Sequence, residues 1–150
     1  MRQAPFKDPR VKKLPFEYAD ITEKLVSAGL RPTRQRLLLG GLLFTDECRH
    51  VSAESLHREA RAAGVEVSLA TIYNTLHQFT DTGLLKEVSI EGGKSYFDTN
   101  VSAHHHFLCE ESGKLTDIPG EHITLQNLPT PPMGTQISSV DVVIRLRPAN

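Results

Sequence analysis

The 150-residue sequence predicts an α+β protein, an N-terminal winged helix-turn-helix followed by a C-terminal small α/β dimerisation domain. Three observations predict it. Four helical stretches each begin at a residue that caps helices well, and three of them end at glycine. A glycine-turned hairpin follows directly. The last third then turns to alternating, strand-like patterning. Hydrophobic residues at 39% and charged residues at 23% make a globular mixture, and no apolar run approaches a membrane span.

Residues 1–19, with Pro5, Pro9 and Pro15 and little periodicity, are expected to be a flexible arm. Asp20 can cap a first helix over 21–28 that ends at Gly29. Thr33 caps a second, with Leu37, Leu38, Leu42 and Leu43 turned inward. Ser52 caps a third that ends at Gly64, and Glu54 in its first turn suits the helix dipole. Ser68 caps a fourth that ends at Gly83. In it Leu69, Ile72, Leu76 and Phe79 follow the spacing of a buried stripe. The runs 85–90 and 95–97 flank Glu91-Gly92-Gly93-Lys94, a turn that uses glycine's positive φ, so a wing closes the domain 20–99.

In the domain 100–150, the runs 107–109 and 114–118 pair as strands, and Pro119 opens a short helix towards Leu128. Val140, Val142, Ile144 and Leu146 alternate with other residues as a long half-buried strand. A unit of about fifty residues rarely stands alone, so a second copy is expected to cover its edge and apolar face. Two copies would present two reading helices to a two-fold symmetric operator.

Overall charge is −1, but its distribution is uneven. Residues 2–36 carry nine basic and four acidic side chains, net +5, whereas residues 101–150 are net −2. A basic front suits phosphate. The outer face of the fourth helix shows Thr71, Asn74, Thr75 and Gln78, short hydrogen-bonding side chains with no acid among them. That composition fits base edges in double-stranded DNA.

His104-His105-His106 is the sharpest chemical signal. On an extended chain His104 and His106 point the same way, and two imidazoles so placed can share a transition metal or serve haem iron. If the halves fold against each other, His50, Asp98 and Asp117 complete one site at the hinge, and ligand binding there would alter DNA affinity. The two cysteines, Cys48 and Cys109, are far apart and suggest no disulfide framework and a reducing cytoplasm. Both are expected to be buried or half-buried. No phosphate loop, G-x-S-x-G or H-E-x-x-H is present, so no enzyme is expected. A haem- or metal-buffering protein whose helices dock another protein stays open as a different class.

The segments GLRPTRQR, HVSAESL, VSLATIYNTL, GLLKEVSIEGGKSYFD and HHHFLCEESGKL stand in the order and spacing of the ferric uptake regulator family, which the chain resembles from Ala19 to Ile118. YFDTNVSAHHHF and VDVVIRLRP resemble its iron-response branch. The resemblance implies a cytoplasmic homodimeric repressor. It also implies that Arg31 reaches the minor groove and Tyr73 meets bases. Arg36 matches a common arginine of the second helix, and Asn74 replaces a usual arginine. The full set of expected DNA contacts is Arg31, Thr33, Arg34, Arg36, Ser68, Thr71, Tyr73, Asn74, Thr75 and Lys94. The family's metal site maps to His50, Asp98, His104 and His106, with Asp117 near a further acidic position, for iron, manganese or zinc. The branch implies haem binding at His104, His105 and His106, with operator binding under iron limitation and release by haem. C-x-x-C pairs that hold zinc in many members are missing after Cys109, so no four-cysteine structural zinc is expected.

Overall fold

A computed structural model describes residues 18–90 and 92–150, with the Tyr18 side chain left aside. The chain divides into two compact units, residues 1–101 and 102–150. The expected arm falls largely on residues 1–17, outside the described residues, while Tyr18 and Ala19 already belong to the first helix.

The first unit runs α1 (Tyr18–Ser27), α2 (Arg34–Leu43), β1 (His50–Val51), α3 (Ala53–Ala62), α4 (Leu69–Asp81), β2 (Lys86–Ile90) and β3 (Lys94–Asp98). Its helix starts follow local chemistry. The Thr33 and Ser68 hydroxyls accept from the Arg36 and Thr71 backbone N–H groups. Ser52 and Ser55 form a reciprocal capping box. Leu25, Leu38, Leu39, Leu43, Leu56, Ile72, Leu76, Phe79 and Phe97 meet in one buried core. Gly40 lets α1 approach α2: a Cβ there would lie 2.9 Å from Ile21 Cγ2. The hairpin pairs Val88 with Tyr96 and Ile90 with Lys94, and β1 adds antiparallel to β3 on its other side. This is a winged helix. The two-residue β1 has no signal in the sequence, because strand patterning needs more residues to show itself.

Three expectations about this unit are corrected. Asp20, expected to cap the first helix, lies within its first turn, since α1 already begins at Tyr18. Thr75 is buried at 5% exposure, its hydroxyl donating to the Thr71 carbonyl. It stands four residues from Phe79, about 40° round the helix, and so lies inside the apolar arc rather than on the outer face. Cys48 is exposed.

The second unit is a three-stranded sheet of β4 (His104–Cys109), β5 (Leu115–Pro119) and β6 (Val143–Leu146), ordered β5-β4-β6. β4 pairs antiparallel with β5 and parallel with β6. The helix expected from Pro119 towards Leu128 is only a 3-10 turn at Gly120–His122. β-branched Ile123 and Thr124 follow it, and Asn127 takes a left-handed φ of 56°, which a helix does not tolerate. The expected long half-buried strand is likewise four residues, with Ile144 and Leu146 exposed. Its patterning signals a face that needs cover, and among the described residues none covers it.

Candidate functional site

In the second unit the strand register assembles three candidate donors. His106 lies directly opposite Asp117, and His104 lies opposite Pro119, diagonal to Asp117. Residues paired across a ladder share a face, so His104, His106 and Asp117 stand on one side of the sheet. Leu108 and Leu115, paired in the same register, are buried beside them on that face. Both Nε2 atoms lie 3.4 Å from one atom, Asp117 Oδ1. The two imidazole rings meet edge to face at 4.6 Å between centroids.

The tautomer of His104 follows from its other nitrogen. Nδ1 stands 2.6 Å from the Ser102 carbonyl oxygen, which can only accept, so Nδ1 carries the proton. In the neutral ring Nε2 then presents its lone pair to a carboxylate oxygen, an arrangement that either a proton or a metal cation between the two atoms satisfies. Their spacing suits a metal: metal–ligand bonds of about 2.0–2.1 Å give a tetrahedron an edge of about 3.4 Å. The Ser102 carbonyl then plays the orienting part that metal-bound imidazoles usually find in a neighbouring acceptor.

His105 does not join this set. Alternation turns it to the opposite face, where its Nδ1 accepts from the Val142 backbone N–H at 3.1 Å and so helps hold β6. The triplet is thus divided, two imidazoles on one side of the sheet and one on the other.

The first unit holds a second pair of donors. His50 and Asp98 are register partners across β1 and β3, with Nε2 and Oδ2 3.0 Å apart. Asp98 is fully buried, and its Oδ1 accepts from the Asn100 backbone N–H. Arg49 braces this corner: its backbone N–H donates to Thr99 Oγ1, and its guanidinium donates to the Leu42 carbonyl and to Glu59. Composition and spacing gave no sign of this brace, since Arg49 is one basic residue among many until β1 fixes its position.

The face expected to meet DNA belongs to the same unit. Arg31, Ser68, Tyr73, Asn74 and Lys94 are exposed, as is Thr33 at its cap position, while Arg34, Arg36 and Thr71 are half-buried. Ser68 and Thr71 share a hydroxyl contact at 2.9 Å. Arg36 holds rather than reaches. Its Nε and one terminal nitrogen donate to Gln78 Oε1 at 3.2 and 3.1 Å, and the other terminal nitrogen donates to the Arg31 carbonyl at 2.9 Å. One side chain thereby ties α4 to the turn that carries Arg31. Gln78 has its acceptor engaged, so it does not offer the donor–acceptor pair that adenine requires.

A family model described as the ferric uptake regulator family matches residues 27–145. The ferric uptake regulation protein of Yersinia pestis is 39% identical over 105 residues, 69% of this chain and 71% of that protein. That of Vibrio anguillarum is 38% identical over 106 residues, 70% and 71%. Among solved structures, the ferric uptake regulator of Vibrio cholerae matches with a TM-score of 0.65 at 27% identity, covering 84% of this chain and 98% of that one. The Pseudomonas aeruginosa ferric uptake regulator with manganese matches with a TM-score of 0.64 at 27% identity, covering 87% and 98%.

Proposed function

The chain belongs to the ferric uptake regulator family, and from that premise we propose that it is a homodimeric, metal-responsive repressor whose affinity for operator DNA follows the occupancy of one divalent ion. The observation that carries this reading is the convergence of two imidazoles on one carboxylate oxygen, His104 Nε2 and His106 Nε2 each 3.4 Å from Asp117 Oδ1. His50 and Asp98 are the further donors. Three imidazoles and two carboxylates suit iron, manganese or zinc, and availability decides among them. When bound, the ion supplies positive charge to its donors. His104 and His106 contribute nitrogen lone pairs, Asp117 neutralises charge, and the Ser102 carbonyl holds the ring of His104.

Exposed Met133, Ile144 and Leu146 support pairing of the second unit with another copy. No helix among the described residues is long and apolar enough to cross a membrane. The haem reading, with release from DNA when haem meets the triplet, draws on one feature: His105 lies on the opposite face from the metal set. Under this reading His105, although buried, is the imidazole that haem iron takes without competing for the ion, so His105→Ala loses the sharp Soret band of ligated haem and leaves divalent-metal binding in place.

On DNA, Arg31 and Arg36 are expected to behave differently. Arg31→Ala removes an exposed cation from the face expected to meet DNA and lowers the slope of log K against log salt by up to about one. Arg36→Ala weakens binding with the slope unchanged, because its guanidinium faces Gln78 and a carbonyl rather than phosphate. The reading as a whole is tested by genomic footprinting in metal-replete and metal-starved cells. Promoter occupancy that changes with metal in wild type and is fixed in His104→Ala/His106→Ala supports it. Equal occupancy in both media overturns it.

A further inference from the structure

The outer face of the reading helix carries one hydrogen bond that a DNA-binding surface has no evident need for. The Tyr73 hydroxyl donates to Glu54 Oε1 at 2.8 Å, joining the second turn of α4 to the first turn of α3. Both residues are exposed. An acid on a face that meets phosphate weakens every encounter with DNA, so its presence asks for a compensating role. The dipole of α3 accounts for a carboxylate in that turn but not for its bond to Tyr73. The bond holds Glu54 below the usual carboxylate range and pushes Tyr73 above the usual phenol range. Glu54 is therefore ionised and acceptor-only, and the proton between them belongs to the phenol. One helical turn on, His77 stacks against the Tyr73 ring at 6.4 Å and 21°, and itself meets Phe97 edge to face. The ring is held in plane and its one proton is committed.

We propose that Glu54 is a specificity-determining positioning residue: by taking the only proton of Tyr73 it turns the phenol oxygen into a pure acceptor. In the major groove that oxygen then selects a base that presents an amino group, adenine through N6 or cytosine through N4. It disfavours guanine and thymine, whose O6 and O4 oppose its lone pairs. This assignment rests on the proposed reading that α4 faces DNA bases, and it deepens that reading by naming the base class at one position.

The test is sequence selection from a randomised duplex pool with metal-loaded wild type, Glu54→Ala and Tyr73→Phe. Wild type is expected to return one position per half-site restricted to adenine or cytosine, by roughly tenfold or more. Glu54→Ala opens that position to guanine and thymine, leaves the other positions as they were, and raises affinity for unselected DNA. Tyr73→Phe, which keeps the ring and its stacking, loses preference there altogether. A consensus that Glu54→Ala leaves unchanged, or that loosens at every position together, overturns the assignment while the DNA-binding reading stands. A wild-type protein that enriches no duplex at all overturns both.

Discussion

Alanine in place of Asp117 is expected to weaken divalent-metal binding by about a hundredfold or more, beyond the ten- to hundredfold typical of partners that only orient a ligand. The size follows from geometry. Asp117 Oδ1 lies 3.4 Å from both His104 Nε2 and His106 Nε2, so its removal takes away one of the proposed site's two carboxylates and half of the negative charge that offsets a dication. Asp117→Asn keeps the shape and loses the charge, and falls between alanine and wild type. Calorimetric titration with manganese measures the affinity directly. Thermal stability gives an independent reading: an ion at about 100 times its Kd stabilises the folded chain by about 2.7 kcal/mol, and Asp117→Ala loses that gain. Metal affinity unchanged in Asp117→Ala would remove the residue from the site.

Phe79→Ala is expected to destabilise the first unit by about 3–5 kcal/mol. Phe79 is fully buried at the centre of the core and packs against Phe44, with centroids 5.7 Å apart and a 38° tilt. Domains of this kind hold only about 5–15 kcal/mol in total, so one truncation takes a large share of the stability. Asn74→Ala, on the exposed side of the same helix, stays within about 0.5 kcal/mol of wild type. Urea denaturation followed by circular dichroism separates the two. Unfolding of both variants at the same denaturant concentration would contradict this orientation of α4.

Features set by neighbours in the sequence were legible before the structure. Thr33, Ser52 and Ser68 cap their helices because capping needs only a hydroxyl and the next turn of backbone. The wing followed from Gly92 and Gly93, both at positive φ. The division of His104 and His106 from His105 followed from alternation along a strand. Features set by contacts distant in sequence were not legible. The bond from the Arg36 guanidinium to Gln78 spans 42 residues. The Tyr73–Glu54 bond spans 19 residues and two helices. Ser102 orients His104 through a backbone carbonyl, a group every residue has and no composition reveals. The second unit was read least well. Its apolar alternation over 140–146 reports a surface that needs cover, and that surface is left exposed in a single chain.

Occupancy of the histidine–carboxylate cluster is expected to change how tightly the reading helix holds DNA. Fluorescence anisotropy of a selected operator duplex, with and without manganese, measures this most directly. Wild type is expected to shift its Kd by about 5- to 150-fold, the usual span of coupling between two sites. His104→Ala/His106→Ala is expected to shift by less than about twofold, with the same DNA affinity whether or not metal is added. A wild-type Kd that is unmoved while calorimetry shows the ion bound, or a double variant that keeps the full shift, contradicts it.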